Sequence, residues 1–212
     1  MRVDIEVNHR KYDLEIGRLI DQRATLERRG IFMLESSVFP YVDLFYAPRA
    51  PLRLLLPPPP NAPQPLPPNA MALLDIPSIA GRGFRARFDL TDYDVVAPSI
   101  EFYDPWSGLP LPYETMFRAI EFEQQGGAHL VLLPDHPITH KPFLCLRGVR
   151  EYHEHPQHTG DDWFLYRDKV SLFSVVNSLW RVAIDLIRPQ IMIQVHKGQM
   201  QVQVQWAPEA KL

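Results

Sequence analysis

Cysteine and histidine crowd one stretch of this chain, His136 to Trp163, HPITHKPFLCLRGVREYHEHPQHTGDDW. It carries the only cysteine, Cys145, and five of the eight histidines, His136, His140, His153, His155 and His158. Glu151, Glu154, Asp161 and Asp162 lie among them. Two chemistries fit these residue types. In the first, Cys145 attacks as a thiolate, which requires a partly exposed thiol, a nearby base and a donor for the oxyanion. A histidine titrating near neutrality serves as that base, and a carboxylate beside it orients the ring. His155 next to Glu154, and His158 three residues later, are the leading candidates, with Glu151 and His153 in the same segment. In the second, the same groups hold a metal. His153-x-His155 puts two rings on one side of an extended segment, and His158 returns through a turn at Pro156. Cys145 then joins all three histidines, or two of them with a glutamate, a donor set fit for zinc. That spacing is not a standard zinc pattern. The plainer alternatives are an inert apolar cysteine in an FLCL strand and a solvated histidine-rich loop.

These groups must be positioned by a fold. Asp13 to Arg29 reads as an amphipathic helix with Leu14, Leu19, Ile20, Ala24 and Leu26 near one face, Asp13 as its cap and Gly30 at its end. Two β-rich runs follow, Ile31 to Pro48, holding two strands joined near Phe39-Pro40, and Leu52 to Pro57. A proline-rich connection occupies residues 57–70. It is expected to be stiff and polyproline-like, because proline fixes φ and removes a donor. Phe84, Ala86 and Phe88 alternate with Arg85, Arg87 and Asp89 as in a half-buried strand, and Ser99 to Phe102 forms another. A short helix is expected over Tyr113 to Glu123 and a strand over His129 to Leu133. Val170, Phe173, Val176, Leu179, Trp180, Ala183 and Ile187 recur at helical spacing from Lys169, until Pro189. The tail alternates about Lys197-Gly198 as a β-hairpin. Runs of strands without crossover helices predict an α+β fold with an antiparallel sheet in a single domain.

Composition narrows the function classes. A net charge of -3 gives no basic surface for nucleic acid or an anionic membrane. No apolar run approaches the ~20 residues needed to span a bilayer. The opening MRVDIEVNHRKYDLE lacks the apolar core of a secretion signal, and one cysteine makes no internal disulfide. A cytoplasmic location is expected.

The order of elements and several local spellings resemble the ubiquitin-conjugating enzymes over most of residues 13 to 187. Phe84 to Phe102 is similar to a strand-and-proline passage of that family, with Tyr93, Pro98 and Phe102 in matching places. His136-Pro137 precedes Cys145 by nine residues, where the family has His-Pro-Asn, and FLCLRG resembles its cysteine context. Trp163 and the helix from Lys169 follow in the family's order. Two departures stand out. Ile138 replaces the family's asparagine, so either His140 or another donor supports the oxyanion, or the loop is built differently. Trp163 stands eighteen residues after Cys145, farther than in the family, the addition being the His/Glu-rich piece within residues 149–162. That insertion resembles a divergent bacterial group with a Cys-Glu-His-His signature, read as a metal site. Here Cys145, Glu151 or Glu154, and two of His153, His155 and His158 would fill it.

The resemblance implies a ubiquitin-conjugating-enzyme-like fold, to which the hairpin read from the alternating tail is an addition. It also implies that Cys145 receives the C-terminus of a ubiquitin-like protein as a thioester from an activating enzyme. The acyl group then passes to an acceptor protein in a bacterial ubiquitin-like pathway. No cofactor is needed for that chemistry. A zinc-binding protein and a non-catalytic adaptor are the competing expectations.

Overall fold

Asp4 caps the first helix, α1 (Ile5–Asp21), its side chain accepting the Glu6 backbone amide, and Gln22 separates it from the short α2 (Arg23–Arg28). The helix expected from Asp13 therefore begins two turns earlier, where Asp4 satisfies one of the free first-turn amides. Its inward face changes with it. Asn8, Tyr12, Glu15 and Leu19 are buried, while Leu14 and Ile20 are exposed. Gly30, at φ 76°, closes the helical segment in the left-handed conformation that glycine adopts without steric cost.

The computed structural model describes residues 3–47, 83–113, 116, 119–122, 128–185, 187–196 and 199–208. The proline-rich connection 57–70, the expected strand Leu52 to Pro57 and the hairpin turn Lys197-Gly198 lie outside them.

Four strands, β1 (Ile31–Met33), β2 (Tyr41–Tyr46), β3 (Phe84–Asp89) and β4 (Ser99–Tyr103), form an antiparallel sheet in the order of the chain. The period of two divides it into a wet and a dry face. Val42, Leu44 and Tyr46 pair with Phe88, Ala86 and Phe84, which in turn neighbour Ile100 and Phe102, and all are buried. The other face collects Asp43, Arg85, Arg87, Glu101 and Tyr103. Asp43 is fully buried, and both arginines donate to both of its oxygens at 2.7 to 3.1 Å. Burial alone would raise the Asp43 carboxyl, but the Arg87 and Arg85 hydrogen bonds outweigh it and hold the group below its usual range.

The dry face is covered by α4 (Leu172–Trp180), where Tyr46 donates its hydroxyl to the Val176 carbonyl at 3.2 Å. Ser171 and Ser174 cap α4 reciprocally. This helix is shorter than the expected Lys169 to Ile187, since a wider turn over Arg181–Asp185 ends it. Its buried side runs through Leu172, Val175, Val176 and Leu179, one step round from the expected face, leaving Phe173 half-buried. β9 (Ile187–His196) and β10 (Gln199–Pro208) then pair as the expected hairpin. Pro189 lies inside β9 opposite Trp206, a position tolerated in a ribbon that has two strands among the described residues.

Between sheet and helix, β5 (Ile120–Phe122) pairs with β6 (Ala128–Leu130), so the end of the helix expected over Tyr113 to Glu123 is a strand. The run His129 to Leu133 is split between β6 and β7 (Leu132–Leu133), and β7 pairs with β8 (Phe143–Leu144). The architecture is α+β with an antiparallel four-stranded sheet and several helices. No helix among the described residues is long and apolar enough to cross a membrane.

Candidate active site

Cys145 is the first residue after β8, and its amide extends that pairing by donating to the Val131 carbonyl at 2.6 Å. Leu144 and Leu146 on either side are buried, so the alternation turns Cys145 the other way, half-buried. The inert-core alternative for FLCL therefore fits its leucines and not its cysteine.

The loop before it, residues 134–142, is organised by His136, which is fully buried. Its Nδ1 accepts the Ile138 and Thr139 amides, both at 3.3 Å. Nε2 must then carry the proton, and it donates to the Glu151 carbonyl at 3.0 Å. Both nitrogens are consumed in fixing the turn and tying it to α3 (Arg150–Glu154). Ile138, where the resemblance calls for asparagine, is exposed, and His140 is exposed with its ring 3.5 Å from Asp135.

α3 is anchored from below. Arg150 donates to the Ala97 and Thr91 carbonyls at 3.0 and 2.9 Å, and its own amide reaches the Pro98 carbonyl. Glu151 accepts the Ser99 hydroxyl from β4, while its second oxygen, Oε2, is buried without a partner. Burial pushes the Glu151 carboxyl above its usual range, against the opposing hydrogen bond from Ser99. Glu154, the carboxylate expected beside the base, is exposed.

The three clustered histidines part company. His153 Nε2 accepts the Gly148 amide at 3.3 Å, so Nδ1 is protonated and donates to the Asp161 carbonyl at 2.7 Å. This ring closes the segment from Gly148 to Asp161 upon itself. His155 Nδ1 accepts the Gln157 amide and caps the turn Pro156–His158, with its ring stacked against Phe143. His158, returned by that turn, places Nε2 3.3 Å from Cys145 Sγ. Burial, and then His155 nearby, lower the His158 pKa, so its ring is the neutral, proton-accepting form at neutral pH. Of the candidates His153, His155, His158, Glu151 and Glu154, the structure brings His158 onto the sulfur.

The metal arrangement meets a different geometry. Both nitrogens of His153 are occupied by backbone groups, and one nitrogen of His155 caps a turn. Among the described residues no three histidine, cysteine, aspartate or glutamate side chains group as a metal ion requires.

One cluster escaped the sequence reading. Asp161 accepts the hydroxyls of Tyr152 and Tyr166 and lies 3.4 Å from Arg147. The Tyr152 and Tyr166 hydrogen bonds hold the Asp161 carboxyl below its usual range. Tyr152 in turn lies flat against His158, centroids 3.9 Å apart and planes inclined by 21°. No local spacing announces it, because Tyr152 and Asp161 meet only through the intervening turn.

The Y4jH-like family model, described as the Y4jH family, matches residues 75–187, more than half of the chain and all of this site. A protein of Sinorhizobium fredii (strain NBRC 101917 / NGR234) carrying the name Uncharacterized protein y4jH is 26% identical over 184 residues, covering 78% of this chain and 75% of that protein.

Proposed function

We propose that the chain, which belongs to the Y4jH-like family, is a thioester-forming carrier and transferase of a ubiquitin-like protein, working in the cytoplasm. The observation that carries this reading is the 3.3 Å approach of His158 Nε2 to the sulfur of Cys145. Supporting it is the order of helix, four-stranded antiparallel meander, cysteine-bearing segment, buried Trp163 and second packed helix. That order is the one expected of a ubiquitin-conjugating-enzyme-like fold.

In the loading step, the Cys145 thiol gives its proton to His158 and the sulfur attacks the thioester carbonyl held on the activating enzyme. A new carbon–sulfur bond forms to Cys145, the old one breaks, and the departing thiolate takes the proton from His158, which returns to the neutral form. In the transfer step, an amine of the acceptor protein attacks the Cys145 thioester. His158 accepts the proton that the nitrogen loses, and the Cys145 thiolate leaves. A neutral imidazole is the form that each step needs. The reading uses no cofactor.

The test is to incubate the protein with a candidate ubiquitin-like protein, its activating enzyme and ATP. An adduct that thiol reductant releases, and that Cys145→Ala abolishes, is the expected result. An adduct that survives in Cys145→Ala defeats the reading. Modifier binding that persists in Cys145→Ser, with no adduct in the wild type, makes the protein an adaptor instead.

A further inference from the structure

His158 sits on the outer turn of a loop, and a loop side chain on its own samples several rotamers. A base that acts on a neighbouring sulfur must be held within hydrogen-bond reach of it. What holds this ring is aromatic. Tyr152 covers one face at 3.9 Å, in a near-parallel stack. Tyr152 is itself fixed at its far end, where its hydroxyl donates to Asp161. Asp161 is fixed by the Tyr166 hydroxyl, by Arg147 at 3.4 Å, and through its backbone carbonyl by His153. The cluster meets the His158 ring through the stack of Tyr152 on it, while the Asp161 amide donates to the His158 carbonyl at 3.0 Å and fixes its backbone.

We propose that Tyr152 is the positioning residue of the site, a platform anchored by Asp161 that sets His158 Nε2 against Cys145 Sγ. The inference rests on the reading of Cys145 and His158 as thiol and base, and it assigns Tyr152 no contact with a substrate. The charged and titratable groups around His158 are His155, Asp161, His153 and Arg147. Cys145 faces the ring nitrogen at its edge.

Cys145 is the only cysteine, so alkylation by iodoacetamide reports on this site alone and needs neither modifier nor activating enzyme. An ordinary free thiol is only a few per cent thiolate at pH 7, so assistance from His158 can raise its rate by no more than ~30-fold. We expect His158→Ala and Tyr152→Leu each to slow alkylation at pH 7 about tenfold. The double variant should be no slower than either alone, because both remove one assistance. Tyr152→Phe keeps the ring without its anchor and should fall between Tyr152→Leu and wild type. In wild type, the His158 carbon-bound protons, assigned by their loss in His158→Gln, should be shifted upfield by the Tyr152 ring.

A folded Tyr152→Leu variant that alkylates at the wild-type rate overturns the proposal. Should that variant not fold, absence of the upfield shift in wild type overturns it equally. Failure of thioester formation with an intact Tyr152 effect would remove the transferase reading and leave the positioning role standing. Formation of the thioester without the Tyr152 effect would do the reverse.

Discussion

The Glu15 carboxylate accepts the backbone amide of Leu172 at 2.9 Å, joining α1 to the first turn of α4 across 157 residues of chain. Glu15 is a charged side chain on the inward face of α1, 4% exposed, and Arg18 pairs with its other oxygen. A carboxylate at a helix N-terminus satisfies a free amide and complements the helix dipole. Glu15→Ala should therefore cost about 1–3 kcal/mol in urea denaturation, by leaving a buried donor unpaired. Glu15→Gln, whose amide oxygen still accepts, should lose less. An unchanged denaturation midpoint in Glu15→Ala would show the contact to be without energetic weight.

Gly148 ties the cysteine strand to α3 at φ 98°, and a β-carbon there would come within 2.9 Å of Val170 Cγ1 and 3.3 Å of Val175 Cγ2. Strain and overpacking add at this position. Gly148→Ala should lose roughly 2–4 kcal/mol, read as a lowered thermal or urea midpoint. Gly160→Ala, also left-handed at φ 93° but with open space around it, should lose only the conformational part. Equal losses at the two positions would count against the clash with Val170 and Val175.

His158 is held below the ordinary histidine value of ~6.5 by burial and then by His155. Its ring should titrate by NMR with a midpoint under that of a free histidine. Acyl transfer from Cys145 should fall as pH drops through that midpoint, because the imidazolium cannot accept a proton. The folded state also resists this protonation more than the unfolded chain does. The contribution of His158 to stability is thus present above the unfolded value and is lost as pH falls through the folded one. A His158 midpoint at or above the free value would contradict the geometry.

Glu151 has the opposite sign. Its folded carboxyl is raised by burial, with Oε2 lacking a partner. Its favourable contribution is complete below the unfolded carboxylate value and disappears as pH rises through the folded one. Glu151→Gln keeps an oxygen for the Ser99 hydroxyl and carries no charge. Relative to wild type it should gain stability on going from pH 5 to pH 8, measured by urea unfolding at each pH. A difference that stays constant across that range would exclude a charged, desolvated Glu151.

Asp43 supplies a check far from the cysteine. It is fully buried beneath Arg85 and Arg87, whose side chains are 19% and 30% exposed. Removing it strands two cations that retain some water, so Asp43→Ala should cost roughly 2–3 kcal/mol, under the 3–5 typical of a wholly buried pair. Its depressed carboxyl contributes stability above the unfolded carboxylate value, which is lost as pH falls through the folded one. Acid unfolding of Asp43→Asn should accordingly show a weaker pH dependence than that of wild type.

Local pattern determined much of this protein. The alternation of Phe84-Arg85-Ala86-Arg87-Phe88-Asp89 specified a strand with one dry face, because side chains on a strand must point alternately to opposite sides. The apolar spacing after Lys169 and the alternating tail carried the second helix and the hairpin.

What the sequence did not contain was the choice among histidines. His153, His155 and His158 lie within six residues and share one chemistry, so no spacing rule ranks them. Packing ranks them. Arg150 and Glu151 fix α3 against the segment running into β4, His153 closes the loop on Asp161, His155 caps a turn, and that turn lays His158 over Tyr152 beside the sulfur. The turn at Pro156 is local, but the contacts of His153 with Asp161, of Tyr152 with His158 and of His158 with Cys145 join residues that local periodicity does not relate, so only the folded chain could make the assignment.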